Sequence, residues 1–300
     1  MLPNFLVVGA AKAGTTSLYY YLKQHPDIYM SPIKEPYFFS FINKKPNFKG
    51  TFDEKTNKEI ITNIKDYKKL FVNVTIEKTI GECSNSYLYL PESANNIKKH
   101  IPNCKILIIL RNPTERAYSH YMQSVMIGHE NLSFEEAIKK EEERAQLNWR
   151  WHYQYVGQSM YYEQVKRYID FFGKDKVRVY LFDELKNKSL DLMKKIYEFL
   201  DVNDNFTPNL NIYNKTGLPR NKVLHKFLRY DNFIKDITRH ITPSKFRANI
   251  FRFIENKNYT RKSIPPMDSS TKKMLLNKFK SDVLKLQELI NIDLTDWLNI

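Results

Sequence analysis

A short run of small and hydroxyl-bearing residues near the N-terminus has the composition of an anion-binding loop. The segment Gly9–Thr16, Gly-Ala-Ala-Lys-Ala-Gly-Thr-Thr, joins a β-rich run at Phe5–Val8 to a predicted helix over 16–24. Backbone N–H groups in such a loop can converge on a phosphate-like group, and the helix N-terminus adds its dipole. Lys12 supplies a positive charge and the two threonines supply hydroxyl donors. By itself the pattern also fits a simple connection between two elements.

The order of residues in this loop differs from that of nucleotide hydrolases and kinases. Their motif places a lysine directly after the second glycine, followed by a hydroxyl residue that binds magnesium. Here Gly14 is followed by Thr15, and the lysine comes earlier, at Lys12. The buried strand predicted over 105–110 ends at Arg111, where those enzymes usually carry a magnesium-binding aspartate. We therefore expect metal-independent binding, and a P-loop nucleotide kinase is the alternative enzyme.

A second anion-binding pair follows the strand predicted over 105–110. Arg111 stands at the end of that strand, and Pro113 occupies a favourable first position of the next helix. Ser119 comes about two helical turns later, so Arg111 and Ser119 can hold one phosphate between them. The alternative is that Arg111 only forms an ion pair with Glu115.

Together the two segments resemble the donor-binding motifs of sulfotransferases that use 3'-phosphoadenosine 5'-phosphosulfate (PAPS), chiefly bacterial enzymes and heparan sulfate sulfotransferase domains. Gly9–Thr16 resembles their 5'-phosphosulfate loop, and Arg111–Tyr121 resembles their 3'-phosphate motif. Looser matches cover Ile33–Phe39, Gly81–Tyr87, Asn214–Gly217 and Arg261–Asp268, the last without the family's flanking glycine and disulfide. The resemblance implies that PAPS is the donor co-substrate, bound by Lys12, Ala13, Gly14, Thr15, Thr16, Arg111, Ser119, Arg261 and Lys262.

The same resemblance implies transfer of a sulfuryl group to a hydroxyl or amine, with Lys12 stabilising the leaving oxygen. Glu35, which precedes a Phe-Phe pair, matches the glutamate base of the heparan sulfate enzymes. Glu82, on a short predicted strand, is a second candidate base and could instead orient Lys12. The alternative for Glu35 is an ion pair with Lys34 and no catalytic role.

Histidines and aromatic residues leave further alternatives open. His25 and His120 are candidate bases because the related sulfotransferases for phenols and steroids use a histidine. Trp149, Trp151 and Tyr161 could line an acceptor groove, although aromatic residues at helical spacing more often belong to the core. A carbohydrate or glycolipid acceptor is the preferred interpretation, on the strength of the heparan-like motifs.

Alternating strands and helices must position these residues. Strands are predicted over 5–8, 105–110 and 177–182, with helices between them, which indicates an α/β fold. We expect a P-loop-like, three-layer arrangement with a central parallel sheet flanked by helices. A single domain over 1–300 is predicted, containing a basic, irregular helical and loop insertion over 203–265 and a final helix near 270–290.

Charge and composition narrow the class of partner. The net charge is +15, and residues 215–262 contain thirteen Lys or Arg against three Asp or Glu. Such a segment either is a solvated surface or contacts an anionic partner, and peripheral membrane contact through 215–262 is the predicted interaction. A non-enzymatic protein that binds membrane surfaces or nucleic acid is the rival interpretation, whereas the sulfotransferase interpretation involves no nucleic acid.

The two cysteines and the hydropathy pattern bear on the compartment. Cys83 and Cys104 lack partners at zinc-ligand spacing and are predicted to be buried thiols in a reducing compartment. No signal peptide pattern is present, and apolar runs fall short of the ~20 residues that span a bilayer. A cytoplasmic location, peripheral to the membrane, is therefore expected.

Overall fold

A parallel sheet of five strands forms the middle of the structure, a computed structural model that describes residues 1–210, 218–219, 259–260 and 265–299. The strand order is β2-β3-β1-β4-β5, and every neighbouring pair is parallel. The strands are β1 Phe5–Gly9, β2 Ile28–Met30, β3 Thr79–Cys83, β4 Lys105–Leu110 and β5 Val177–Leu181. The predicted α/β fold with a central parallel sheet is confirmed.

Helices surround the sheet. In the described part of the chain they are α1 Thr15–Leu22, α2 Asp53–Glu59, α3 Ile64–Lys69, α4 Ser86–Tyr89, α5 Pro91–His100, α6 Pro113–Met126, α7 Phe134–Lys139, α8 Glu141–Gln146, α9 Tyr162–Phe172, α10 Phe182–Asn187, α11 Ser189–Leu200 and α12 Ser269–Ile290. Two further short strands, β6 Leu218–Pro219 and β7 Tyr259–Thr260, pair antiparallel with each other. None of these helices is long and apolar enough to cross a bilayer.

The central strands are apolar along their whole length because helices cover both faces of the sheet. All five residues of β1 are buried, as are the five that follow Lys105 in β4. Cys83 and Cys104 are free and buried, as expected. Since all five strands run in one direction, their carboxyl ends meet at one edge of the sheet. The segments that follow β1, β3 and β4 therefore lie close together there.

The local sequence explains several helix boundaries. Pro113 is the first residue of α6, and the Asn112 side chain accepts a hydrogen bond from the backbone N–H of Thr114 at 3.0 Å. The Asp282 carboxylate of α12 accepts the N–H groups of Tyr161 and Tyr162 at the start of α9, at 2.7 and 3.2 Å. This contact ties the C-terminal helix to the layer that covers the sheet.

Some expectations were incomplete. Among the helices predicted between the second and third predicted strands, α7 and α8 are two short helices separated at Lys140, and the Glu141 carboxylate at the start of α8 accepts the Val156 N–H at 2.7 Å. Strand β2 and helices α2, α3 and α10 were not predicted. Most of the 203–265 insertion, including 211–217, 220–258 and 261–264, lies outside the described residues. The single-domain boundaries therefore stay a prediction.

Candidate active site

The loop that follows β1 turns sharply and leaves the start of α1 open. Lys12 (φ 68°) and Gly14 (φ 90°) both adopt the left-handed region. A side chain at Gly14 would place its Cβ 2.6 Å from the Leu185 side chain, so glycine is required where the loop packs on α10. In the part of the chain that the structure describes, no side chain caps the N-terminus of α1. The first N–H groups of that helix are thus available to an anion.

A cavity of about 860 Å³ opens at this edge of the sheet. Of the residues predicted to bind the donor or to act in catalysis, seven line it: Lys12, Gly14, Thr15, Thr16, Glu35, Arg111 and Ser119. Ala13 is buried and does not line it. Arg261 and Lys262 lie outside the described residues. The segments after β1 and β4, predicted separately from sequence, therefore face one common space.

Lys12 brings an unpaired positive charge to the cavity. Within the described residues its ammonium has no hydrogen bond or ion pair. Burial, together with the nearby positive charges of Arg111 and Arg116, lowers the pKa of Lys12 to about 8. A partly desolvated cation without a counter-ion is favourable only when an anion binds beside it.

Arg111 lines the cavity and also forms the ion pair that the sequence left open. Its Nε and Nη2 atoms donate to the Glu115 carboxylate at 3.1 and 2.9 Å, and its guanidinium lies 4.8 Å from the centre of the Phe182 ring. The Glu115 side chain is 61% exposed. An ion pair to a solvent-exposed carboxylate contributes only about 0.2–1 kcal/mol, so a phosphate can compete for Arg111. Ser119, which lies in α6, borders the same cavity.

Glu35 lies in a tightly held loop on the wall of the cavity. Its carboxylate accepts hydrogen bonds from Lys34 Nζ, from the Tyr37 hydroxyl and from Asn85 Nδ2, the last at 2.8 Å. Burial alone would raise the pKa of Glu35, but the Lys34 charge and the hydrogen bonds from Lys34 and Tyr37 outweigh it, so the pKa is lowered. The carboxylate is therefore ionised at neutral pH. The ion pair with Lys34 is present, and it does not remove Glu35 from the cavity.

Glu82 is fully buried in β3 and does not line the cavity. Its carboxylate accepts hydrogen bonds from the hydroxyls of Ser84 at 2.7 Å, Tyr67 at 3.1 Å and Tyr87 at 2.6 Å. Burial raises the pKa of Glu82 to about 7, against the lowering effect of those donors. None of its hydrogen bonds goes to Lys12. Its position gives it no direct access to a reacting group.

His120 borders the cavity, but both of its ring nitrogens are engaged. Nδ1 lies 3.3 Å from the Arg116 guanidinium and Nε2 lies 3.1 Å from His152 Nδ1, whose other nitrogen lies 3.0 Å from the Ser124 hydroxyl. Burial and the facing charges hold the pKa of both histidines well below the usual value. His25 lies away from the cavity, with its ring 2.8 Å from the Asn203 carbonyl oxygen.

Several residues of the site were missed or only partly anticipated. Arg116 is fully buried and donates to the Ser159 hydroxyl at 2.6 Å. It also donates to the Ala11 carbonyl oxygen at 3.5 Å, so it supports the loop that follows β1 from the protein interior. Trp151 lines the cavity, whereas Trp149 and Tyr161 do not. Other lining residues that were not predicted as site residues include Lys34, Tyr37, Asn85, Gln123, His129, Arg150, His152, Phe182 and Lys186. Some of these residues lay inside segments that resembled the family: Arg116 in Arg111–Tyr121, Lys34 and Tyr37 in Ile33–Phe39, and Asn85 in Gly81–Tyr87.

An anion-binding loop after the central strand of a parallel sheet defines the class of P-loop-like proteins. Comparison with known proteins narrows that class. The family profile described as "Sulfotransferase domain" matches residues 2–223. A crystal structure of a sulfotransferase from Alicyclobacillus acidocaldarius is 33% identical, with a TM-score of 0.78 and 100% of both chains covered. The protein belongs to the sulfotransferase domain family.

Two relatives extend the comparison. The membrane-associated sulfotransferase kil1 of Dictyostelium discoideum is 21% identical over 381 residues, which include 99% of this chain and 67% of that protein. The human heparan sulfate glucosamine 3-O-sulfotransferase 5 is 28% identical over 222 residues, 71% of this chain. The chain spans 56% of the length of the human protein.

Proposed function

We propose that the protein transfers a sulfuryl group from PAPS to a hydroxyl or amine of a carbohydrate or glycolipid, without a metal ion. The observation that carries the proposal is the convergence of an unpaired Lys12, the Arg111 and Ser119 pair, and an ionised Glu35 on one cavity. Membership of the sulfotransferase family supports it.

The donor would occupy two anion-binding regions. The loop around Gly14 and the open N-terminus of α1 suit the 5'-phosphosulfate, with Lys12 beside it. Arg111 and Ser119 suit a 3'-phosphate, the group that distinguishes PAPS from ATP. A charge-assisted hydrogen bond to a phosphate is worth roughly 1.5–3 kcal/mol, more than the exposed pair with Glu115 that it would replace. No observation on the described residues favours a nucleotide kinase instead.

The reaction would be an in-line displacement at sulfur. The acceptor oxygen or nitrogen forms a bond to sulfur while the bond from sulfur to the bridging phosphate oxygen breaks, which releases adenosine 3',5'-bisphosphate. Glu35 takes the acceptor proton, since it is the ionised carboxylate that borders the cavity. Lys12 stabilises the negative charge that develops on the bridging oxygen.

The names of two relatives support the acceptor proposal. One relative is named for heparan sulfate glucosamine and another is named as membrane-associated, and a glycan or glycolipid acceptor is consistent with both names. Peripheral membrane contact through the basic segment 215–262, and a cytoplasmic location, stay predictions because most of that segment lies outside the described residues.

Calorimetry and turnover measurements test the donor and the base separately. Adenosine 3',5'-bisphosphate should bind in the presence of a chelator, while ATP should bind poorly. Lys12→Ala and Arg111→Ala should weaken donor binding or abolish turnover. Glu35→Gln should keep the donor affinity and lose most of the rate, because only the proton acceptor is removed.

A matched control separates the role of Glu35 from a general effect of removing charge. Glu54 is an exposed carboxylate that pairs with Lys58 outside the cavity, so Glu54→Gln should leave the rate unchanged. Wild-type turnover by Glu35→Gln would show that the base is misassigned. A transfer screen with labelled PAPS against glycans, glycolipids and phenols would identify the acceptor.

A further inference from the structure

The loop that contains Glu35 has a conformation that its own sequence does not favour. Glu35 (φ 66°) and Tyr37 (φ 59°) both occupy the left-handed region, although neither is a glycine. Such residues persist only where neighbouring groups hold them, and they concentrate at functional sites. The question is which contacts hold this loop in place.

Three alternate N–H groups of the loop are bound by one continuous segment, which runs from the end of β3 into helix α4. The Glu35 N–H donates to the Cys83 carbonyl oxygen at 2.9 Å. The Tyr37 N–H donates to the Ser84 hydroxyl at 3.2 Å, and the Phe39 N–H donates to the Tyr87 hydroxyl at 3.3 Å. Two of the three acceptors are thus side-chain hydroxyls rather than carbonyl oxygens.

A hydroxyl can accept these N–H groups reliably only if its own proton points elsewhere. The Ser84 proton is donated to Glu82 Oε1 at 2.7 Å, and the Tyr87 proton is donated to Glu82 Oε2 at 2.6 Å. In its ionised form, which prevails above about pH 7, the Glu82 carboxylate is an acceptor at both oxygens and fixes the direction of both hydroxyls at once. Both lone-pair sides are then free to face the loop.

We infer that Glu82 is a positioning residue that holds the Glu35 loop in its catalytic conformation through the hydroxyls of Ser84 and Tyr87. The inference rests on the proposed function, since it concerns the placement of the proposed base. It assigns a use to a buried carboxylate that lies outside the cavity. The burial that raises the pKa of Glu82 to about 7 is tolerated because three hydroxyl donors satisfy the carboxylate.

The structure supplies a matched pair of tyrosines for the test. Tyr67 and Tyr87 both donate to Glu82 Oε2, at 3.1 and 2.6 Å, but only the Tyr87 hydroxyl also accepts an N–H from the loop. Tyr87→Phe and Ser84→Ala should each lower kcat about tenfold and leave the affinity for adenosine 3',5'-bisphosphate unchanged. Tyr67→Phe, which removes an equivalent hydroxyl without a link to the loop, should keep kcat within about twofold of wild type.

A double-mutant cycle distinguishes positioning of the base from general loosening of the fold. On a Glu35→Gln background, Ser84→Ala and Tyr87→Phe should cause no further loss of kcat, because the group that they position is already inactive. A tenfold loss that persists on that background would overturn the inference. Equal effects of Tyr67→Phe and Tyr87→Phe would overturn it as well.

Glu82→Gln tests the carboxylate itself. A glutamine offers one acceptor and one donor group, so one of the two hydroxyl protons loses its acceptor. The variant should lower kcat with donor affinity retained, and wild-type kcat would overturn the inference. If Glu82→Gln does not fold, the Ser84 and Tyr87 variants decide the question. If Glu35→Gln keeps full activity, the proposed function fails instead, whatever these variants show.

Discussion

The unpaired Lys12 predicts that donor binding takes up a proton in mildly alkaline solution. In the free protein the pKa of Lys12 is lowered to about 8 by burial and by the charges of Arg111 and Arg116. A phosphate or sulfate beside the ammonium would favour its charged form and raise the pKa again. Below about pH 8 the ammonium is already protonated, so binding should depend little on pH there. Above that value each binding event must also supply a proton to Lys12.

The size of the effect follows from the two pKa values. If the bound state restores the ordinary value of 10.5, about half a proton is taken up at pH 8 and about 0.9 at pH 9. The affinity for adenosine 3',5'-bisphosphate should then fall about tenfold between about pH 7 and pH 9, which corresponds to roughly 1.4 kcal/mol. His120 and His152 do not contribute in this window, because the pKa values of both are well below the usual value.

Isothermal calorimetry in buffers of different ionisation enthalpy measures proton uptake directly. Lys12→Arg is the matched control, since arginine stays charged throughout this range and should give neither uptake nor pH dependence. Binding by the wild-type protein without proton uptake near pH 9 would refute the reasoning. Equal uptake by Lys12→Arg would show that another group titrates.

Three further expectations concern other parts of the site. Glu115→Gln should leave the donor affinity, measured by calorimetry, equal to or tighter than that of the wild type, because Arg111 loses only a competing partner. A marked loss of donor affinity would contradict this expectation. Gly14→Ala should destabilise the protein by about 1–3 kcal/mol in denaturant unfolding, since the residue has φ 90° and a Cβ would lie 2.6 Å from Leu185. His120→Gln should leave the shape of the pH–rate profile unchanged, because both ring nitrogens of His120 already have hydrogen-bond partners. Loss of one limb of the profile would instead identify His120 as the base.

Local patterns in the sequence were enough to identify the two segments, after β1 and β4, that border the cavity and that we propose bind the donor. Strand β4 is a continuous apolar run, and the change to Arg111 and Pro113 marks its end and the start of α6. The small residues of Gly9–Thr16 likewise mark the turn into α1. Parallel strands then bring the two segments to one edge of the sheet without further information.

The acceptor half depends on contacts that local patterns do not encode. The Tyr37 N–H meets the Ser84 hydroxyl from 47 positions away, and His120 meets His152 from 32 positions away. Both contacts are set by the tertiary fold, which decides which strands and loops become neighbours. Strand β2 has only three residues, too few to show an alternating pattern. The role of Glu82 was uncertain for the same reason, since its burial is set by the tyrosines packed around it.

The attachment of the Glu35 loop at alternate amides also determines how the loop can move. A surface loop normally opens on its own, but this one is held at Glu35, Tyr37 and Phe39 by the segment that runs from the end of β3 into α4. Its amide protons should therefore exchange with solvent on the timescale of the sheet edge, not of a free loop. Under the proposed function, the Glu35 carboxylate is therefore in its reactive position before an acceptor binds. No binding energy of the acceptor is then needed to order it.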